Sequence, residues 1–305
     1  MSPTSGTEIH VEVEGHTLKL SNLDKVLYPR TGTTKGEVLN YYARIAPVLL
    51  PHLKDRAVTR VRWPHGVEKA SFFEKNAPAG TPSWVRTATV STTGSRGSSK
   101  NGDTLVFPVV DDLATLTWMV NLAALELHVH QWTVGRNGEP KKPNRLVVDL
   151  DPGEPAGLHE CAQVALLVRD KLAERDLDAR AVTSGSKGVH LYAALPGKVD
   201  SGQTTALAKG IAEELQAEHP KLVTATMTKS RRSGKVFLDW SQNAGSKTTL
   251  SPYSLRGRER PTVATPLAWA EVEAGAEDAL DLEQFAFEAV LDRVDDLGDL
   301  FALDG

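Results

Sequence analysis

HVEVEG and HTLKLS alternate apolar and polar residues on either side of Gly15, the period of two that predicts paired strands joined by a turn. The residues before them, MSPTSG, carry no such pattern and read as a disordered start. Thr34-Lys35-Gly36-Glu37 then opens a helix through VLNYYARIAPVLLPHL. Ala57 to Trp63 (AVTRVRW) reads as a strand, and TTGSRGSSKNGD, Thr92 to Asp103, as a mobile hairpin or loop because glycine and serine dominate it. DLATLTWMVNLAALEL, from Asp112 to Leu127, is apolar enough to read as a single helix.

The second half alternates between the two periods. Strand Arg145 to Asp151, helix Gly157 to Arg175, strand Ala179 to Thr183, strand His190 to Ala194, helix Gly202 to His219 and strand Lys235 to Trp240 follow one another. That βαββαβ order is the split-βαβ arrangement of ferredoxin-like and RNA-recognition-motif sheets, so the class expected is α/β (α+β). Such sheets host many unrelated activities, and function has to come from particular residues.

At 305 residues and 40% hydrophobic, the chain can bury one large core or two joined ones. We expect a single domain: an N-terminal subdomain of roughly residues 1–140, a catalytic half of roughly 141–270 and an acidic helical segment from 271. No apolar run reaches the roughly 18 to 20 residues of a membrane span, and the start lacks the basic and apolar regions of a signal peptide. The expected location is cytoplasmic. The only cysteine, Cys161, lies in an apolar-periodic segment and reads as core.

The net charge of −4 is unevenly distributed. Glu271 to Gly305 holds twelve acidic residues and one basic residue, Arg293, a net of −11 that leaves the first 270 residues at +7. A basic body suits a polyanionic partner, and the acidic end reads as an amphipathic helix, LEQFAFEAVLDRV, closing the domain.

In LVVDLDPGE, Asp149 and Asp151 lie two apart at the end of a β-branched run, so both carboxylates leave one face of a strand. Paired anions of this kind are relieved by divalent cations, which support phosphoryl transfer. Asp239, at the far end of the apolar run KVFLDW, is a candidate third carboxylate. In TSGSKGVHLY, Ser184, Ser186, Lys187 and His190 surround Gly185 and Gly188, a combination suited to cradling a triphosphate, although the spacing is not that of a P-loop. A strand-to-turn Asp-Pro and an ordinary glycine turn would account for either motif taken alone.

Together, DLDPGE, TSGSKGVHLY, MTKSRRSGKVFLDWSQNAGSKTT and PYSLRGR resemble the three motifs of the archaeo-eukaryotic primase superfamily, as found in the polymerase domain of bacterial DNA ligase D, the end-joining enzyme that works with Ku. The likeness extends upstream through LSNLDKVLYPRTGTTKGEV, RVRWPHGVEKASFFEK and AALELHVHQW, covering nearly the whole chain in order. The resemblance implies a template-directed polymerase that adds nucleotides at short gaps or ends in DNA. It assigns Asp149, Asp151 and Asp239 to two Mn²⁺ or Mg²⁺ ions, with Asp239 also helping to activate the primer 3′-hydroxyl. Ser184, Lys187 and His190 fall on the nucleotide-binding motif, and His128 and Arg256 on positions lining the incoming-nucleotide pocket. The substrates implied are nucleoside triphosphates, ribonucleotides included. Asn22, Lys25 and Lys35 match positions that receive a downstream 5′-phosphate, where paired cations suit a dianion. Phe72 and Phe73 fall near the template and terminal base pair, where stacking tolerates any sequence. Arg231 and Arg232 fit a basic loop that grips template or primer.

The chain departs from the resemblance in three ways. It ends without a KxDG-type ligase signature, so the expectation is a stand-alone polymerase, a monomer in the bacterial nucleoid, partnered by a separate ATP-dependent DNA ligase, with Ku as a further candidate partner. The Thr92–Asp103 stretch is longer, and His130 stands where a proline is expected after His-Val. Two other activities use overlapping parts: primer synthesis de novo, which has less use for a 5′-phosphate pocket, and non-catalytic bridging of DNA ends, which has none for the carboxylates. A metal-dependent nuclease or phosphatase could use three carboxylates but not the triphosphate cradle.

Overall fold

A computed structural model describes residues 8–91 and 104–303. The expected disordered start and the Thr92–Asp103 loop lie outside the described residues. The first strand pair forms as the alternation requires, Glu8–Val13 against His16–Ser21, antiparallel about the turn at Gly15. Thr34 caps the helix Lys35–Leu53 reciprocally: its hydroxyl accepts from the Glu37 backbone N–H at 3.2 Å, and Glu37 accepts the Thr34 N–H at 2.7 Å. The helix turns Val38, Tyr41, Tyr42, Ile45, Leu49 and Leu53 into the first of two large cores. The Tyr41 and Tyr42 hydroxyls, too polar to bury unpaired, donate to the carbonyls of Tyr253 and Leu125 at 2.7 Å each.

The apolar run Asp112–Leu127 is not one helix. Helix Leu113–Asn121, capped by Asp112, is followed by Ala123 at φ 61° and then by strand Ala124–Val129. A left-handed alanine cannot propagate a right-handed helix. The strand that follows lies inside a four-stranded sheet, between Val58–Arg62 and Thr249–Leu250. The leading Ala123-Ala124-Leu125 continues the apolar run of the helix before it, so the alternation of LELHV is absorbed into a helix reading. Phe72–Glu74 forms the outer edge of this sheet.

The second half folds in the order its pattern implies. Strand Val236–Asp239 lies beside Arg145–Pro152, then come Val189–Ala194 and Ala179–Thr183, all antiparallel, with Val223–Thr224 and Pro266–Leu267 added at the two edges. Helices Leu158–Ala173 and Ser201–Glu218 pack on one face, where Leu146, Val148 and Leu150 join Val164, Val168, Ala208 and Ile211 in the second core. Cys161 is buried there as filler. The alternate residues of the same strand, Val147, Asp149 and Asp151, face the other way, and Val147 belongs to the first core. The strand period thus delivers both carboxylates to the side of the sheet that meets the N-terminal half.

The acidic end forms helices Trp269–Glu277 and Phe287–Leu297. Phe287, Val290 and Leu291 are buried in the first core, and Arg293 ties the two helices through Glu271 at 2.5 and 2.7 Å. No helix among the described residues is long and apolar enough to cross a membrane.

Candidate active site

Asp149 stands directly opposite Asp239 on one neighbouring strand and opposite His190 on the other. Directly opposed residues in antiparallel strands share a face, so one carboxylate of each strand and an imidazole meet at the centre of the sheet. Burial, followed by repulsion from Asp239, pushes the Asp149 carboxyl up to about 7. Asp151, further out and exposed in area, is still pushed up to about 6, by desolvation first and then by Asp149. Burial holds His190 well below the usual imidazole range, at about 3, so its 3.3 Å approach to Asp149 is a contact of a neutral ring rather than an ion pair.

Asp239 ends its strand and caps the turn after it. One of its oxygens accepts from the Ser241 N–H at 3.0 Å and the Ser241 hydroxyl at 2.6 Å, the other from Gln242 at 3.0 Å. Gln242 also lies near enough to Asp149 to lower its pKa in part, so one amide acts on the carboxylates of both strands. Next to it, the fully buried Asn243 side chain bonds both Val147 N–H and C=O, at 2.9 and 2.7 Å, and so prolongs the pairing beyond Asp239. Three hard oxygen donors in a region of uncompensated negative charge fit one or two divalent cations. Among the described residues, no three such groups already converge as a coordination sphere, because Asp239 is turned onto its own turn.

The Ser184–Gly188 turn is folded around a hydroxyl. Ser184 Oγ accepts from the backbone N–H groups of Ser186 and Gly188 at 3.2 and 3.1 Å. Gly188 lies so close to the Arg145–Pro152 strand that a Cβ would overlap the Leu150 carbonyl oxygen, and Gly185 adopts φ +67° with Arg256 Cγ only 2.7 Å from where its Cβ would be. The glycines therefore let the loop rest against Asp149's strand and against Arg256. Lys187 projects into solvent, paired with Glu154 at 3.0 Å, where charge screening leaves it easily redirected.

His128 and Arg256 converge on a residue that the sequence reading missed. Glu126, largely buried, accepts from His128 Nε2 at 2.7 Å, from the Gly257 N–H at 3.0 Å and from Arg256 Nη1 at 3.3 Å. Burial alone would raise its pKa, but these partners override it and hold the carboxylate at about 2. The signal was there in part: a strand period places Glu126 on the same face as His128. Gln242 and Asn243 gave no comparable signal.

Phe72 and Phe73 are 48% and 59% exposed, as a stacking role requires and a core role does not, and Phe73 meets the His128 ring edge-on at 6.4 Å. The two loop arginines differ. Arg231 is exposed, whereas Arg232 folds back over the Phe237 ring at 3.6 Å and donates to the Met227 carbonyl. Asn22 sits in a turn at φ 55° that is stitched to the first helix, with Lys25 N–H donating to Asn22 O and Lys35 N–H to Lys25 O. Lys25 is exposed. Lys35 is 5% exposed, and its ammonium donates to Ser21 O and Asn121 Oδ1 at 2.6 and 2.7 Å. His130, in the place of the expected proline, is buried against Trp132 at 4.2 Å and Phe107 at 5.5 Å as a neutral core ring.

A split-βαβ sheet with opposed carboxylates on its central strands, beside a tight glycine turn, is an arrangement suited to the class of metal-dependent nucleotidyltransferases. Residues 34–301 match the family model described as LigD, primase-polymerase domain, and the chain belongs to that family. It is 46% identical over 285 residues to the multifunctional non-homologous end joining protein LigD of Mycolicibacterium smegmatis, covering 93% of this chain and 36% of that protein. The bifunctional LigD of Bacillus subtilis is 34% identical over 278 residues, 91% of this chain and 42% of that one. The chain thus spans well under half the length of these curated relatives. Among solved structures, the polymerase domain from Mycobacterium tuberculosis ligase D in complex with DNA matches with a TM-score of 0.86 at 47% identity, covering 93% of this chain and 96% of that one.

Proposed function

We propose that the protein is a template-directed repair polymerase that fills short gaps or extends broken DNA ends, accepts ribonucleotides, and recognises a downstream 5′-phosphate. The observation that carries this is the direct opposition of Asp149 and Asp239 next to the Ser184–Gly188 turn. Asp149, Asp151 and Asp239 would hold two Mn²⁺ or Mg²⁺ ions, which supply charge neutralisation for attacking and leaving oxygens. Ser184's turn, Lys187, His190, His128 and Arg256 bind and orient the triphosphate and sugar, and Asp239 accepts or orients the primer 3′-hydroxyl proton for in-line attack at the α-phosphate. Phe72, Phe73 and Arg231 are exposed for template and primer. The names of the relatives carry non-homologous end joining, which is the pathway proposed here; the partners proposed with it are an ATP-dependent DNA ligase to seal the nick and Ku at the ends. Work on chromosomal DNA would place the protein at the nucleoid.

Primer extension across a short gap is the test. Templated, metal-dependent insertion, stimulated at least about fivefold by a 5′-phosphate over a 5′-hydroxyl, is expected; tight binding without insertion would overturn the reading. Lys35 makes the phosphate effect depend on pH. Burial, then repulsion from Lys25, lowers its pKa from 10.5 to about 8. The ammonium is present below that value and lost above it, so the stimulation should weaken as pH rises from 7 to 9. Burial of the cation opposes folding below pH 8, and that opposition is relieved between about 8 and 10.5. A stimulation ratio flat from pH 7 to 9, or unaffected by Lys35→Met, would remove Lys35 from the phosphate site.

A further inference from the structure

We infer that Glu126 is a positioning residue for the incoming nucleotide, aiming His128 and Arg256 together from one buried carboxylate; this deepens, and rests on, the polymerase reading above. Its three donors come from two separate parts of the chain, His128 on its own strand and Arg256 with Gly257 after the Thr249–Leu250 strand. The second part is itself fixed. Tyr28 donates to the Arg256 carbonyl at 2.8 Å, and a Cβ on Gly257 would overlap the Trp63 ring.

The arrangement leaves specific atoms to face a ligand. His128 spends Nε2 on Glu126, so Nδ1 is the nitrogen left for a nucleotide. Arg256 spends Nη1 there, and its Nε is enclosed without a partner, so Nη2 remains. Both side chains lie near Asp149 and His190: the Arg256 charge acts on both of these groups, and His128 is close enough to act on His190. Glu126 is anionic and would by itself repel a triphosphate. Its contribution is therefore geometric, fixing to one acceptor a ring and a guanidinium that come from separate parts of the chain. A buried ion pair of this kind is weak evidence for stability, which favours a role in orientation.

The test measures NTP KM and kcat in gap extension, together with the melting shift induced by NTP, for Glu126→Gln, Glu126→Asp, His128→Ala and the double variant Glu126→Gln/His128→Ala. Gln keeps the shape and an acceptor for Gly257; Asp keeps the charge but shortens the reach. Each is expected to raise KM for NTP about tenfold with kcat changed less than about threefold, and to reduce the nucleotide-induced melting shift. Residues acting as one unit are non-additive, so the double variant should be within about twofold of His128→Ala. An unchanged KM in a folded Glu126→Gln or Glu126→Asp, or effects that multiply fully in the double variant, would overturn the inference. If the wild type itself neither inserts nucleotides nor shows an NTP-dependent melting shift, the polymerase reading fails. If the wild type does both and Glu126→Gln matches it, only the role of Glu126 fails.

Discussion

Asp149→Asn is expected to lower extension by at least about a thousandfold while making the metal-free protein more stable at neutral pH. The loss of activity follows from removing a donor at the centre of the carboxylate set. The gain in stability follows from its environment, because burial and Asp239 raise the folded-state pKa from 3.8 to about 7. For an acid with a raised folded pKa, the neutral form is the one the fold favours. Its contribution is full below pH 3.8 and is lost as pH rises through about 7. Asparagine stays neutral throughout and also relieves Asp151. In chelator, the variant should match the wild type near pH 4, pull ahead between pH 4 and 7, and hold an advantage on the order of 4 kcal/mol above that. Thermal melts across pH with EDTA, alongside gap extension, check both halves. Equal melting temperatures at pH 8 would mean the carboxylates do not repel as described, and retained extension would remove Asp149 from the chemistry.

Gly188→Ala should be nearly as damaging by a different route. Its Cβ would overlap the backbone oxygen of Leu150, and no rotamer change can relieve a clash between backbone and Cβ. The Ser184–Gly188 turn must lift from the catalytic strand, so we expect the NTP-induced melting shift to disappear, extension to fall at least about a hundredfold, and stability to drop by about 1–3 kcal/mol. Gly210→Ala is the control. That glycine lies in the Ser201–Glu218 helix with nothing within 4 Å of an added Cβ, so alanine there should be neutral or stabilise by up to about 1 kcal/mol. A full nucleotide response in Gly188→Ala would show that the turn does not form the cradle.

What could be read from the sequence was whatever depends on local period. The Asp149–Asp151 pair and the βαββαβ order follow from alternation, and that order brings the first and last strands together with Asp149 facing Asp239 across 90 residues of chain. The helix expected over Asp112–Leu127 failed because the strand's alternation, LELHV, begins inside the apolar run and continues past its end, and a single left-handed alanine leaves no trace in composition. Phe72 and Phe73 show a different limit. Physics alone reads two adjacent phenylalanines as core, and only family resemblance put them outside, where they lie. Gln242 and Asn243 depend on register and on partners distant in the sequence, which no window contains. Arg231 and Arg232, adjacent and alike on paper, separate because one of them finds an aromatic ring to cover.

The exposed phenylalanines have a consequence for the protein in storage. They sit on Phe72–Glu74, the outermost strand of its sheet, so unsatisfied backbone groups and two apolar rings are displayed along one border. That combination is a template for pairing with another copy, and it limits self-association only by being three residues long and ending in Glu74, whose carboxylate binds Arg60 and Arg62. Concentrated preparations without nucleic acid should therefore turn turbid sooner than those holding a duplex, and neutralising Glu74 should hasten the clouding.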